Sequence, residues 1–155
     1  MDLSDLVAPQ AIIPALKANS KKQVLQIMAE KAADLTGLEE RVVLDTILQR
    51  EKLGSTGVGN GIAIPHGKLA QLNNIVGVFA RLDTPVDFEA LDDEPVDLVF
   101  LLLAPESAGA DHLKALSKIA RVLRDPDMVQ KLRNTHEAQA LHTFLTQTQA
   151  ATNAA

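Results

Sequence analysis

The stretch from Val96 to Ala104, apolar throughout except for Asp97, constrains the fold more than any other part of this chain. A strand with apolar groups on both sides of its pleat must be covered on both faces, so this segment belongs inside a sheet, and Pro105 ends it. The covers are visible on either side in sequence. Ser20 followed by Gln23 is a capping-box signature. Val24, Ile27, Met28, Ala32 and Leu35 then recur at helical spacing until Gly37, a helix of about four turns. A second helical pattern runs through Val42, Val43, Leu44, Ile47 and Leu48 and ends near Arg50 or Glu51. After the apolar strand, Leu113, Leu116, Ile119, Ala120 and Leu123 define an amphipathic helix that begins near Gly109 and stops at Asp125-Pro126. Pro126 opens the next helix, capped by Asp125, with Met128, Val129 and Leu132 inward. A last helix is expected from Asn134 or Thr135, with Glu137 closing a capping box on Asn134, through Ala140, Leu141, Phe144 and Leu145.

The remaining strands are shorter or weaker. Ile75 to Leu82 reads as a buried strand and Gly61 to Ile64 as a short apolar one. Residues 1–19, with Pro9 and Pro14, read as an edge strand or extended lead-in. Residues 83–95 carry six acids and two prolines, so they read as a solvated surface segment with a short strand at Val86 to Phe88. Strands and helices in this order imply an α/β protein with helices on the faces of a sheet, although strand order stays open. At 155 residues the chain fits one domain. Residues 1–146 are expected to form it, and the Gln/Thr/Ala/Asn stretch 147–155 a flexible tail.

Composition removes several functions. The chain has no cysteine, which excludes thiolate metal sites, disulfides and cysteine nucleophiles. A net charge of −5 with 3% aromatic residues argues against nucleic acid, which wants a basic face or stacking rings. No apolar run approaches the roughly 20 residues that span a bilayer, and the start Met-Asp-Leu-Ser-Asp-Leu lacks the positive charge of an export signal. A cytoplasmic location and no membrane insertion are the expectation.

The chemistry is concentrated in residues 54–67. Gly54, Gly57, Gly59 and Gly61 allow close approach to backbone N–H groups, Ser55 and Thr56 add hydroxyls, and a short apolar strand ends on Pro65, His66 and Gly67. Such a loop suits an anion. It is not a dinucleotide fingerprint, which would need glycine where Ile62 stands and a strand before it. Nor is it a Walker A loop, which would need glycine at Ile62 and a hydroxyl at Leu69. A metal site would have to join His66 to the distant His112 without any short ligand spacing, so none is expected. What remains is one displayed imidazole, nucleophilic near neutral pH, beside amides, two hydroxyls and the cation Arg50. An unreactive loop histidine is the alternative. His112, in the first turn of its helix, is the second candidate, with a surface histidine as its alternative. His136 and His142 look incidental.

Residues 48–68, Leu-Gln-Arg-Glu-Lys-Leu-Gly-Ser-Thr-Gly-Val-Gly-Asn-Gly-Ile-Ala-Ile-Pro-His-Gly-Lys, resemble the active-site stretch of the mannitol/fructose-type enzyme IIA of the bacterial phosphotransferase system. The resemblance extends to Val96–Ala104 closed by Pro105-Glu106 and to Asp111-His112-Leu113-x-x-Leu116. It implies a three-layer α/β/α fold around a small mixed sheet. It implies that His66 is phosphorylated, as a tele-phosphohistidine, by the phosphocarrier HPr or its nitrogen-branch relative. His112 would orient His66 and help hold the phosphoryl group, Arg50 would supply charge, and Ser55, Thr56, Gly57, Gly59 and Gly61 would bind the phosphoryl group, with no cofactor. The Leu-Gly-Ser-Thr-Gly wording, with no IIB or permease domain fused here, is most similar to the nitrogen-regulatory subtype. That implies a phosphorylation-dependent regulator of targets such as a potassium transporter or sensor kinase. The alternatives are a sugar carrier that passes the group to a IIB domain, and a phosphate-independent binding module.

Overall fold

The computed structural model describes residues 2–154, with side chains as far as Gln147. A short helix α1 (Leu3–Leu6) and a 3-10 turn (Pro9–Ala11) lead into β1 (Ile12–Leu16). The helices α2 (Lys21–Thr36) and α3 (Glu40–Lys52) follow, then three short strands, β2 (Gly57–Gly59), β3 (Ile62–Ala63) and β4 (His66–Leu69). Two long strands, β5 (Val76–Val86) and β6 (Val96–Pro105), precede a 3-10 turn (Glu106–Ala108) and the helices α4 (Ala110–Val122), α5 (Pro126–Arg133) and α6 (Ala138–Ala154). Of the tail expected over 147–155, all but Gln147 falls outside the residues described in full. Among the described residues no helix is long and apolar enough to cross a membrane.

The strand read as central is central. β6 pairs antiparallel with β5 on one edge and parallel with β3 and β4, end to end, on the other. β1 joins β5 in parallel, so the lead-in does become an edge strand. Val96 and Leu98 to Ala104 have no exposure at all, and each large apolar side chain among them contributes about 1.5–3 kcal/mol by leaving water. Helices on both faces make the result a single-domain, three-layer α/β/α arrangement around a six-stranded mixed sheet.

Local signals explain the α2 boundaries. Ser20 Oγ accepts from Gln23 N at 3.2 Å, Gln23 Oε1 accepts from Asn19 N at 2.7 Å, and Gly37 closes the helix in the left-handed region at φ 78°. Asp125 caps α5 by accepting from Asp127 N. Four expectations are corrected. Leu3 and Leu6 are buried on a helical turn rather than on an extended lead-in. β5 runs on to Val86, and beyond it Phe88 and Ala90 are buried, so the acidic segment anchors itself in the core. Asn134 closes α5 instead of opening the last helix, which begins at Ala138. Along α4 the expected Ile119 and Leu123 are buried and Leu116 and Ala120 pack against the core, but at its first turn His112 is buried in place of Leu113, which is 67% exposed.

Candidate functional site

Three parts of the chain meet beside the middle of the sheet. α3 buries Val43 and Ile47 and brings Thr46 onto β4, where a Cβ on Gly67 would lie only 2.8 Å from Thr46 Cγ2. Gly67 therefore makes room for α3. One helical turn after Thr46, Arg50 reaches over the same strand. His66 opens β4 instead of ending the preceding strand, and is registered against Leu102 with Gly67 against Leu103. Alternation along the strand turns Gly67 to α3 and His66 to the opposite layer, where α4 supplies His112.

The half-buried His66 ring is fixed at both nitrogens. Its Nδ1 lies 2.9 Å from the Ile64 carbonyl, which can only accept, so Nδ1 carries the proton. The Nε2 lone pair accepts from Arg50 Nε at 3.2 Å, and Arg50 Nη1 donates to Gly54 O at 2.9 Å. The rings of His66 and His112 meet edge to face, with centroids 5.7 Å apart and an 80° interplanar angle. His112 is 5% exposed and its Nδ1 has no hydrogen-bond partner. Burial above all, then the nearby His66 and Lys68, holds its pKa below the usual imidazole value.

These groups border a cavity of about 620 Å³. It is lined by the cations Arg50 and Lys68, by Thr46 and Gln49, by both histidines, and by Gly109 at the start of α4. None of its described lining residues is acidic. α4 starts at this cavity, with Gly109 in its lining and no side-chain cap, so its positive dipole end lies nearby. The cavity thus suits an anion next to a nucleophilic nitrogen. Lys68 went unnoticed in sequence, although the period of two from His66 would have placed it on the same side.

The structure brings Arg50, His66 and His112 together but leaves Ser55, Thr56, Gly57, Gly59 and Gly61 out of the cavity lining. Their polar groups are engaged elsewhere. Ser55 Oγ donates to Phe88 O at 2.6 Å and accepts from Gly57 N, while Thr56 N and Oγ1 both donate to Glu51. The glycines build a hairpin. β2 and β3 turn over Asn60 and Gly61 at φ 58° and 80°, the positive values that a type I′ turn requires. A Cβ on Gly61 would collide with the Arg133 guanidinium, which binds Asp97 and the Asn60 carbonyl. The Asn-Gly pair was the sequence signal for this hairpin. His136 is exposed, and His142 Nε2 bonds the Val7 carbonyl at 2.8 Å, away from the site.

A mixed six-stranded sheet carrying a histidine pair at the meeting of α3, β4 and α4 defines a recognisable class. The family model described as "Phosphoenolpyruvate-dependent sugar phosphotransferase system, EIIA 2" matches residues 5–148, and the chain belongs to that family. Within it, the chain is 66% identical over 145 residues to a nitrogen regulatory protein of Bradyrhizobium diazoefficiens, covering 94% of this chain and 95% of that one. It is 42% identical over 150 residues to the nitrogen regulatory protein of Escherichia coli, covering 96% and 92%. The crystal structure of nitrogen regulatory protein IIA-Ntr from Neisseria meningitidis superposes with a TM-score of 0.88 at 34% identity, over 93% of this chain and 99% of that one.

Proposed function

We propose that the chain is a phosphoryl carrier that accepts a phosphoryl group on Nε2 of His66 from an HPr-type phosphohistidine protein, and that it regulates nitrogen and potassium metabolism through that modification. The carrying observation is the state of the His66 ring, with its proton held on Nδ1 by the Ile64 carbonyl and its lone pair turned towards Arg50. In the transfer, Nε2 attacks the phosphorus in line, the bond to the donor imidazole breaks, and that imidazole leaves with the electron pair. The Nδ1–H bond to Ile64 supports the ring as it gives up density. Arg50 and Lys68 offset the charge of the phosphoryl oxygens, and the first turn of α4 adds its N–H groups. His112, neutral before transfer, borders the phosphoryl position and can offer a ring N–H to a phosphoryl oxygen. The family and the nitrogen regulatory relatives support the regulatory reading. The family's sugar-transport description supports a second reading of the next step, delivery to a IIB domain.

The test is incubation with enzyme I, an HPr-type carrier and labelled phosphoenolpyruvate. The wild type takes up acid-labile label, phosphorus NMR places it on Nε2, and His66→Ala takes up none. An unlabelled wild type overturns the proposal. Pull-downs with unmodified and phosphorylated protein then separate the two readings, and enrichment of a IIB protein alone would replace the regulatory one.

A further inference from the structure

The Glu51 side chain is only 5% exposed, yet it touches neither histidine. It accepts Lys21 Nζ at 2.8 Å, Thr56 N at 3.2 Å and the Thr56 hydroxyl. A buried carboxylate is costly unless it is fully partnered, and here each partner belongs to a different part of the frame around His66. Lys21 comes from the first turn of α2 and also lies 5.0 Å over the Phe88 ring. Glu51 itself follows Arg50 directly.

Two short chains of contacts lead from this carboxylate to the two nitrogens of His66. On one side, Glu51 fixes Thr56, the Thr56 carbonyl accepts from Ile64 N at 3.0 Å, and the Ile64 carbonyl accepts from His66 Nδ1. On the other, Glu51 pins the turn from α3 into residues 54–56, and the Gly54 carbonyl in that turn orients the guanidinium that donates to His66 Nε2. We propose that Glu51 is a positioning residue that sets the orientation and tautomer of His66 from both sides, acting through Thr56 and Arg50. Lys21 pairs with the same carboxylate that accepts twice from Thr56. Glu51 makes or breaks no bond to the phosphoryl group. This inference rests on the carrier reading only for its rate consequence.

The experiment compares the wild type with Glu51→Gln, Thr56→Val and Thr56→Ser. Glutamine offers a single acceptor oxygen to the three donors. Valine keeps the shape of Thr56 and its N–H but removes the hydroxyl, and serine keeps the hydroxyl. Nitrogen-15 NMR of the imidazoles should show His66 as the Nδ1–H tautomer in the wild type and Thr56→Ser, and a mixture of tautomers in Glu51→Gln and Thr56→Val. Single-turnover acceptance from the phosphorylated carrier should fall at least about tenfold in those two variants, the scale expected when a reacting group is misplaced. A role in stability alone would lower the melting temperature without moving the tautomer. If folded Glu51→Gln and Thr56→Val keep the wild-type imidazole pattern, the inference is wrong. If Glu51→Gln does not fold, Thr56→Val decides. If the wild type itself accepts no phosphoryl group, the carrier reading falls while the tautomer pattern still decides the role of Glu51.

Discussion

His112 carries the clearest single-residue consequence of the site's burial. Burial, His66 and Lys68 hold its folded-state pKa below the ordinary value of 6.5, so above pH 6.5 the ring is neutral folded or unfolded. Below 6.5 the unfolded chain binds the proton more readily, and stability is lost progressively as the pH falls through the lowered folded-state value. Urea unfolding between pH 7.5 and 5 should therefore show a steeper loss in the wild type than in His112→Gln, and equal slopes would refute the assignment. Phosphorylation of His66 should reverse the local balance, since a phosphoryl dianion favours the imidazolium. His112→Ala should stay folded and accept the phosphoryl group several-fold more slowly, and wild-type rates in it would remove His112 from the mechanism. The meeting of His66, His112 and Arg50 was suggested by the histidine that ends the glycine-rich stretch, the first-turn histidine of α4 and the cation in the last turn of α3. Glu51 was not, because its importance lies in three contacts made to residues 5 to 30 positions away.

At the scale of elements, α3 lies tightly on β4. Gly67→Ala would force Cβ against Thr46 Cγ2 and should cost about 1–3 kcal/mol. Thr46→Ser removes that methyl and keeps the hydroxyl that donates to the Val42 carbonyl, so Gly67→Ala combined with Thr46→Ser should recover most of the loss in a double-mutant cycle. Additive losses would show that the contact does not set the spacing. The α2 and α5 boundaries could be read in advance because caps are local chemistry, with donors and acceptors within a few residues. The first turn of α4 could not. Its inner face holds Ile119 and Leu123 as its spacing suggests, but packing against β6 and α6 buries His112 there and leaves Leu113 exposed. The glycine-rich stretch is ambiguous for a related reason. Glycine reports a backbone need, and a hairpin and an anion nest share that need.

The whole molecule is held by one strand. Leu102 of β6 is fully buried, and its backbone N–H donates to the Pro65 carbonyl just before His66. Leu102→Ala should lower stability by about 2–5 kcal/mol, through a single cooperative transition in urea. A separate early transition confined to one half of the sheet would contradict this. That β6 is central was legible from its own residues, whereas the placing of β3 and β4 end to end on its edge was not, because pairing across some 35 residues leaves no local trace. This pairing has a consequence of its own. A slip of one residue between β4 and β6 would exchange the two layers, driving the His66 ring against Thr46 and presenting Gly67 to His112. The histidine pair is therefore a report on registration. A copy of the chain that is misaligned by a single step does not bring His66 to His112 at all.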